Sequence, residues 1–433
     1  MSTSEISNLS TLKGLSNKRK IILLILIITI LLFPLIIIGG VLIYNSYYAP
    51  YWNGGKWEDI KELPFDDYDW RSEVLVEFDG KMYLFYQSIS VSTYTGSDCI
   101  TPDQYSLSEI ILTSYDGNEW SMPIMLSDPD DNSSEAVTQA IVYNDKIYLI
   151  RSVSIREKIN DDNNWESYYW NKTLMLQSYD GTTFETYDNI LNESEMGDGC
   201  GSPTLFVWKD YLWGLWKSNV YYEYNDYNYK FFNGEKWSES FNFTMPVQST
   251  NDVQIVTDKE HVWLTWQSSV ESYFDDADIY LGRFNGTGVS IVEKMTPEGK
   301  NEYVCRPHIC SDNTNISVQW EGIGIFERRY SENGLSDISE VILETRSSGG
   351  LQVYSIYFKL NLYVLWSDFT GELSKVRIAC FDGEEWSNSY VVSTVRYPGC
   401  DDPKMFVYDD SLFVYWNAPE DSWNIVFREY QID

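Results

Sequence analysis

The sequence "SYDGNEWS", Ser114–Ser121, is the basis of the predicted fold, because altered copies of it recur through most of the chain. The other copies are "YWNGGKWE" from Tyr51, "SYDGTTFE" from Ser178, "FFNGEKWS" from Phe231, "RFNGTGVS" from Arg283, "YSENGLSD" from Tyr330 and "CFDGEEWS" from Cys380. Asp-Gly and Asn-Gly tolerate the positive φ angles of a tight two-residue turn. The flanking aromatic residues favour strands and can cover the base of a hairpin. Each copy therefore predicts a β-hairpin.

A second pattern interlocks with the first. Between successive copies lies a pair of apolar runs joined by a short polar turn, from "SEVLVEFDGKMYLFYQS" near the start to "DPKMFVYDDSLFVYWNA" near the end. Each repeat thus supplies four strands, which make one antiparallel sheet. The motif glycines stand at positions 54, 117, 181, 234, 286, 334 and 383, close to a propeller-blade period with loop insertions. The sequence predicts an all-β, seven-bladed β-propeller with four-stranded antiparallel blades.

The two ends of the repeat region complement each other. The chain finishes with "NIVFREYQID", which supplies a third strand without a fourth, whereas "NGGKWEDIK" from Asn53 supplies a turn and a fourth strand without a third. These halves are expected to meet in one composite blade. The second strands end at Tyr86, Arg151, Trp216, Trp266, Trp320, Trp366 and Trp416. An aromatic residue at nearly every equivalent position predicts packing between blades rather than a ligand site.

Residues 21–44 form an apolar segment of the length that a membrane helix needs, and Lys18, Arg19 and Lys20 precede it. The segment is longer than the apolar part of a cleavable signal peptide, and no small-residue cleavage site follows it. We therefore expect a short cytoplasmic segment at 1–20, one transmembrane helix at 21–44 and an extracellular propeller at 45–433. The predicted location is a single-pass cell-membrane protein with a cytoplasmic N-terminus.

Charge, cysteines and glycosylation sequons add to this picture. The net charge of −34 excludes a nucleic-acid partner, since a phosphate-binding surface is basic. Six sequons follow the apolar segment, at Asn132, Asn171, Asn192, Asn242, Asn285 and Asn315. All six cysteines also follow it, and a disulfide between Cys99 and Cys200 is expected because both fall on the same propeller face. Cys305 and Cys310 point to opposite faces of one strand, which argues against a disulfide between them. For Cys310 and Cys380, a buried free thiol is as good an interpretation as a disulfide.

These motifs resemble the Asp-box turns of the sialidase-like β-propeller superfamily, Ser-x-Asp-x-Gly-x-Thr-Trp. The matching residues of "SYDGNEWS" are Ser114, Asp116, Gly117 and Trp120, with the spacing shortened by one residue. The resemblance implies a propeller, and it raises the alternative of a glycoside hydrolase that holds a carboxylated sugar with three arginines. Arg71 and Arg306 stand near the starts of inner strands, and Arg396 is a third candidate in a loop. The other interpretation is that these arginines pair with nearby acidic residues.

The loops that join second to third strands carry clusters of aromatic and acidic residues on one face. Aromatic rings stack on sugars and dominate binding hot spots. The expected ligand site comprises Trp165, Tyr168, Tyr169, Trp170, Tyr222, Tyr224, Tyr273 and Phe274. Asp275 and Asp276 are candidates for Ca²⁺, although no EF-hand spacing accompanies them. We expect a cell-surface module that binds glycans or a protein partner; the alternatives are a sialidase-type hydrolase and aromatic clusters that only stiffen the loops.

Overall fold

The structure is a computed structural model of the 433-residue chain. It describes residues 51–63, 69–93, 104–126, 133–159, 167–187, 203–217, 226–247, 253–268, 277–297, 304–342, 353–369, 374–394, 403–419 and 423–432. The chain divides into two compact units, Met1–Trp52 and Asn53–Asp433. The predicted anchor, 21–44, lies outside the described residues. Within the described ranges, no helix has both the length and the apolar character to cross a membrane.

The described residues form β-strands throughout. The strands are β1 Tyr51–Trp52, β2 Gly55–Trp57, β3 Lys61–Glu62, β4 Asp69–Phe78, β5 Lys81–Thr93, β6 Gln104–Tyr115, β7 Ile124–Met125, β8 Ser133–Tyr143, β9 Lys146–Ile159, β10 Ser167–Tyr179, β11 Phe184–Tyr187, β12 Thr204–Trp208, β13 Tyr211–Lys217, β14 Asp226–Phe232, β15 Phe241–Thr244, β16 Gln254–Thr257, β17 Val262–Ser268, β18 Asp278–Phe284, β19 Val289–Lys294, β20 Cys305–Ser311, β21 Ile316–Glu321, β22 Ile325–Ser331, β23 Gly334–Leu335, β24 Ser339–Ile342, β25 Val353–Phe358, β26 Asn361–Asp368, β27 Lys375–Phe381, β28 Tyr390–Val391, β29 Lys404–Tyr408, β30 Ser411–Pro419 and β31 Trp423–Ile432.

These strands build a seven-bladed propeller of four-stranded antiparallel blades. Blades 1 to 6 begin at β4, β8, β12, β16, β20 and β25, and the strands of each blade follow one another in the sheet. In blade 5 the fourth position is divided between β23 and β24. Blades 1 and 2 are joined by one parallel bridge between Ser108 and Ser134. The predicted architecture is confirmed.

Blade 7 combines the two ends of the propeller unit. Its order is β29, β30, β31 and β2, with β3 also pairing to β31. Trp57 of β2 lies opposite Tyr430 of β31, and Lys61 of β3 lies opposite Phe427. This antiparallel pairing closes the ring through backbone hydrogen bonds, which protects the strand edges of the composite blade.

The hydrophobic core lies between blades. Separate clusters of buried side chains fill the contacts between blades 7 and 1, 1 and 2, 2 and 3, 3 and 4, 4 and 5, and 5 and 6. Blades 6 and 7 meet through the stacked rings of Trp57 and Tyr390, whose centroids lie 5.7 Å apart. Each blade buries both of its faces only because a neighbour covers each one.

The aromatic residues at the ends of the second strands belong to this packing. Six of them are among the largest fully buried side chains: Tyr86, Trp216, Trp266, Trp320, Trp366 and Trp416. The sequence-based interpretation of this ring as inter-blade packing is therefore correct. The indole nitrogens of Trp266, Trp366 and Trp416 have no hydrogen-bond partner among the described residues, so apolar contact holds these rings in place.

Five copies of the repeated motif, those at Asp116, Asp180, Asn233, Asn285 and Asp382, form a wider turn than the sequence predicted. In "SYDGNEWS" only Gly117 has a positive φ, 95°, and the Asp116 amide donates to the Glu119 carbonyl, which makes a four-residue turn. The Asp116 carboxylate accepts hydrogen bonds from the amides of Asn118 and Glu119, at 2.9 and 3.0 Å. The two-residue interpretation is wrong for these copies, because the Asp or Asn side chain supplies a local acceptor, an alternative to positive φ at its own backbone. It is confirmed for Asn53–Gly54, where both central residues have positive φ, 47° and 80°.

Two-residue turns with positive φ at both central residues also join the first and second strands of blades. Both central residues have positive φ at Asp79–Gly80, Asn144–Asp145, Lys209–Asp210, Lys359–Leu360 and Asp409–Asp410. This is the mirror-image turn whose twist matches a β-hairpin. Leu360 is an unusual member, since it is 91% exposed and has φ 70°.

The serine near the end of the motif accepts a backbone hydrogen bond that the motif alone does not predict. The hydroxyl oxygens of Ser121, Ser238, Ser336 and Ser387 accept hydrogen bonds from the backbone amides of Ser114, Phe231, Arg329 and Cys380, at 3.0 to 3.1 Å. Trp120 and Tyr115 pack beside this bond with centroids 5.2 Å apart. The aromatic pair and the serine together fasten the outermost strand to the blade.

Candidate functional site

The site with the most varied chemistry is a cavity on the propeller axis. Its volume is about 420 Å³, within the size range of small-molecule sites. Residues from six of the seven blades line it: Glu73, Val74, Leu75, Thr138, Gln139, Ala140, Pro203, Thr204, Leu215, Lys217, Tyr227, Val253, Gln254, Ile255, Tyr354, Lys404 and Tyr415. Pro203, Gln254, Tyr354 and Lys404 stand at or near the starts of inner strands, so the cavity lies toward the propeller end from which the second-to-third loops project.

β-Bulges near the starts of two inner strands aim polar side chains at this cavity. In β4, Ser72 and Glu73 stand between the paired residues Arg71 and Val74, and in β8 Thr138 is the extra residue between Val137 and Gln139. In a regular inner strand the side chains alternate between the two neighbouring blades. A bulge breaks this alternation and re-aims a side chain, which accounts for Glu73 and Thr138 in the cavity lining.

Glu73 is the most informative residue of the cavity. It is 3% exposed, and its Oε1 atom has no hydrogen-bond partner among the described residues. Lys404 pairs with it: the Lys404 Nζ lies 3.7 Å from that oxygen and donates at 3.1 Å to the Glu73 carbonyl. A buried carboxylate oxygen without a donor is costly, by about 1–3 kcal/mol or more for a charged group. Glu73 therefore lines the cavity, and its buried Oε1 atom has no hydrogen-bond donor among the described residues.

Blade 3 contributes a second buried charge to the lining. Lys217, at the end of β13, is 4% exposed, and burial lowers the pKa of its ammonium group. Lys404 contributes a third charge on the side of blade 7. The described lining thus includes one carboxylate, two ammonium groups and the tyrosines Tyr227, Tyr354 and Tyr415.

Gln139 gives the wall its rigidity. Its side-chain Nε2 donates to the Leu205 carbonyl at 2.9 Å, and its Oε1 accepts from the Leu205 amide. This two-way bond pins the inner strand of blade 2 to that of blade 3. It fixes the cavity wall without using a polar atom that a ligand would need.

A polar network between blades 5 and 6 supports the cavity wall at Tyr354. His308 packs its ring against Tyr354 with centroids 4.4 Å apart, and its Nδ1 lies 2.8 Å from the Ser355 hydroxyl. Ser355 in turn donates to the Gln319 side-chain carbonyl, and Gln319 donates to the Ser317 hydroxyl at 2.6 Å. Tyr354 is thereby held between the cavity and a hydrogen-bonded interior.

The arginine candidates are only partly described. Arg306 is exposed and has φ 49° inside a bulge of β20, between the paired residues Cys305 and His308. Arg71 instead occupies the paired position before the β4 bulge, opposite Gln87. The sequence suggested that the two arginines occupy equivalent positions, and in the structure they do not. Arg396 lies outside the described residues. The cations among the described lining residues are lysines.

The aromatic candidates fall mainly on parts of the chain that are not described. Trp165, Tyr222, Tyr224, Tyr273 and Phe274, and the Ca²⁺ candidates Asp275 and Asp276, lie there. Tyr168, Tyr169 and Trp170 were predicted in a loop, but they lie on β10, where they pair with Lys158, Glu157 and Arg156 of β9. The β9–β10 hairpin extends beyond the blade because both strands continue their backbone ladder. Among the described residues, no three His, Cys, Asp or Glu side chains are grouped to hold a metal ion.

The cysteine and sequon predictions divide in the same way. Cys99, Cys200 and Cys400 lie outside the described residues, while Cys305, Cys310 and Cys380 are buried thiols outside any disulfide. Burial raises the pKa of Cys310 to about 12, although the Ser355 hydroxyl near it acts in the opposite sense. Asn242 and Asn285 are exposed, whereas the amide nitrogen of Asn315 donates to Asp312 at 2.8 Å. Asn132 and Asn192 are not described, and of Asn171 only the strand position is described.

Searches among known proteins give similarity at the level of the fold. No family model and no curated protein matches the chain. A protein of unknown function from Dyadobacter fermentans is similar at 9% identity and a TM-score of 0.49, over 88% of this chain and all of that one. A Trypanosoma rangeli sialidase solved with sialic acid is similar at 12% identity and a TM-score of 0.44, over 87% of this chain and 59% of its own length.

A lectin adds a neighbour of a different kind. The Aleuria aurantia lectin, described as a six-bladed propeller that recognises fucose, is similar at 12% identity and a TM-score of 0.41, over 75% of this chain and 97% of that one. Such distant likeness concerns the fold, and the function must be argued from this chain's own residues.

Proposed function

We propose that this protein is a carbohydrate-binding module whose central cavity receives a sugar unit from the loop-bearing end of the propeller. The observation that carries the proposal is the buried Glu73 carboxylate, which has an oxygen without a protein donor among the described residues and lines a cavity of about 420 Å³. A ligand hydroxyl that reaches this oxygen would supply the donor that the described residues do not. Sugar hydroxyls do so, and each hydroxyl can also accept from an ammonium group.

The rest of the cavity suits the same ligand. Lys217 and Lys404 provide donors on two other walls, and three tyrosines provide aromatic rings. Aromatic rings pair with the apolar face of a sugar and give a large contact area at a small entropic cost. Fixed polar groups in a mostly pre-formed cavity give orientation and specificity.

The N-terminal sequence suggests where such binding serves the cell. The apolar segment 21–44 follows Lys18, Arg19 and Lys20, which favours a single-pass anchor with the propeller outside. A propeller displayed in this way would meet glycans of the cell envelope or of neighbouring cells. A protease-protection assay on intact cells tests this orientation, because an outside propeller is digested without permeabilisation.

The binding test uses the full-length protein on a glycan array, followed by calorimetric titration with the best sugar. Glu73→Gln is expected to raise the Kd about tenfold or more, since a hydrogen bond to a charged group contributes about 1.5–3 kcal/mol. Glu77→Gln is the matched control, because Glu77 is exposed on the same strand. An equal effect of both variants, or capture of proteins but no glycan, would refute the proposal.

The hydrolase alternative has its own outcome. The same protein is incubated with sialyl and neutral oligosaccharides, and the products are separated by mass. We expect the oligosaccharides to be recovered intact. Release of a monosaccharide that is lost in Arg71→Ala and Arg306→Ala variants would establish a sialidase-type enzyme instead.

A further inference from the structure

A second cavity lies between blades 4 and 5, apart from the proposed central site. Its volume is about 360 Å³. The lining comes from the third strand and the end of blade 4 and from blade 5: Ala277, Asp278, Thr296, Pro297, Val304, Trp320, Gly322, Phe326, Ile338 and Glu340. The two cavities share none of their described lining residues.

Beside this cavity, blade 5 has a shorter connection between its second and third strands than blades 3 and 4 have. In blade 4, residues 269–277 connect the second and third strands, and in blade 3 residues 218–225 do so. In blade 5 only Gly322, Ile323 and Gly324 make this connection, and the Gly322 amide donates to the Gly324 carbonyl at 2.8 Å. A three-residue turn leaves the space above the blade 4–blade 5 contact uncovered by blade 5.

One wall of the cavity is aromatic and aliphatic. Trp320 and Phe326 lie nearly parallel, with centroids 6.1 Å apart and an interplanar angle of 20°. Trp320 is 2% exposed and Phe326 is half-buried. Val304 and Ile338 extend the apolar surface on either side. A ligand therefore needs one apolar face.

The remaining wall is rich in hydrogen-bond acceptors. The Asp278 carboxylate receives the Thr296 hydroxyl at 2.7 Å and pairs with the Lys294 ammonium at 2.8 Å. Because Thr296 donates to Asp278, its oxygen is left to accept from a ligand. Glu340 is exposed and lies opposite Phe326 in the β22–β24 pairing. Its carboxylate provides a further acceptor at the rim of the cavity.

These features select one chemical class. Lys294 already balances the charge of Asp278, so the cavity does not demand a cationic ligand, and the carboxylates disfavour an anionic one. A neutral pyranose has hydroxyl donors along its edge and an apolar face of C–H groups, and it fits a cavity of this size. We propose that the blade 4–blade 5 cavity is a second binding site, specific for a neutral sugar ring.

Two independent sites on one propeller would have a functional consequence. A glycan or glycan-coated surface that engages both gains avidity from the effective concentration of the second site. Among the described residues that line the blade 4–blade 5 cavity, none is an arginine.

The test is calorimetric titration of the full-length protein with methyl glycosides of glucose, galactose and mannose, and with sodium glucuronate as the acidic counterpart. At least one neutral glycoside should bind, and Glu340→Gln should raise its Kd about tenfold. Glu340→Lys should abolish binding. Because Glu340 is exposed, neither change should lower the thermal midpoint, which is measured alongside.

Two control variants separate binding in this cavity from binding elsewhere on the propeller. Glu293→Gln removes a carboxylate from the fourth strand of blade 4, outside the cavity lining, and should leave the Kd unchanged. Glu73→Gln should also leave it unchanged, so that failure of the central site does not affect the result. The inference is overturned if no neutral glycoside binds, if glucuronate or an alkylammonium salt binds instead, or if Glu293→Gln acts as strongly as Glu340→Gln.

Discussion

Blades 2 and 6 solve the same packing problem at the end of their second strands in different ways. In blade 6 the position holds Trp366, which is fully buried and relies on apolar contact. In blade 2 it holds Arg151, which is 5% exposed and bonds to Glu135 and Gln177, both at 3.1 Å. The tryptophan needs only a space of the right shape, whereas the arginine needs particular partners on the neighbouring strands.

The difference shows what a repeat can and cannot change. An apolar ring can be copied from blade to blade because each copy meets a similar apolar neighbour. A buried charge cannot be copied alone, because removing a charge from water is costly unless it is paired and hydrogen-bonded. Burial accordingly lowers the pKa of Arg151, and the Glu135 carboxylate acts in the opposite sense.

The largest expected effect comes from the apolar member of the comparison. Trp366→Ala should lower the free energy of unfolding by about 3–5 kcal/mol, because it removes a fully buried ring and leaves a cavity. Chemical denaturation of the full-length protein measures this change. Leu360→Ala is the control, since Leu360 is 91% exposed, and it should have little effect. A loss below about 1 kcal/mol for Trp366→Ala would contradict the packing role.

The charged member should respond to its partners. Glu135→Gln leaves the Arg151 guanidinium buried without a carboxylate, and it should destabilise the protein by about 3 kcal/mol. The double variant Glu135→Leu, Arg151→Met should recover most of this loss, because an apolar pair of similar volume suits a buried site. Additive losses in the double variant would show that the two side chains do not act as a pair.

A buried acid that pairs with one arginine extends the comparison to pH: Glu327 Oε1 lies 3.2 Å from Nε of Arg329. Burial raises the pKa of Glu327, which accepts hydroxyl bonds from Ser317 and Ser339, each at 2.6 Å. Its contribution to stability is complete below the unfolded pKa of about 4.3 and is lost as the pH rises toward the higher folded value. Relative to wild type, Glu327→Gln should therefore become more stable as the pH is raised from 5 to 8.

Thermal midpoints across that pH range provide the measurement. Glu340→Gln changes an exposed acid on the adjacent part of blade 5, so its midpoint should follow the wild-type curve in parallel. If Glu327→Gln also runs parallel to wild type, the Glu327 carboxyl is not the source of the pH dependence.

The smallest effect is expected at the exposed turns. The amides and hydroxyls of Thr182 and Thr183 donate to the Asp180 carboxylate, which lowers its pKa. A lowered pKa contributes stability above the unfolded value, and that contribution is lost as the pH falls below it. Asn233 occupies the equivalent turn, and its side-chain oxygen accepts the amides of Glu235 and Lys236.

Asp180→Asn should therefore keep the turn and remove only its acid sensitivity. The thermal midpoint at neutral pH should change little, and its decline between pH 5 and pH 3 should become shallower. The reciprocal variant Asn233→Asp should steepen that decline. An unchanged acid profile in both variants would mean that the side-chain charge has no part in the turn.

The seven-bladed propeller architecture could be predicted from the sequence alone. The spacing of the Asp/Asn-Gly motifs and the paired apolar runs indicated seven four-stranded blades, because strand periodicity and turn chemistry are local properties of the chain. The aromatic residues at the ends of the second strands were correctly assigned to packing for the same reason, since their position repeats. A resemblance to the Asp-box motif suggested the sialidase-like superfamily, and no family model matches the chain.

The two candidate binding cavities could be found only in the folded structure. Glu73 appeared in the sequence as one acidic residue among 65, and nothing local marks it, because its importance comes from a bulge in β4 and from walls supplied by other blades. The cavity between blades 4 and 5 depends likewise on a three-residue turn and on residues 277 to 340 meeting across an interface. Turns and strands are encoded by neighbours in the chain, whereas burial, cavities and unpaired polar atoms arise from residues that meet only after the ring has closed.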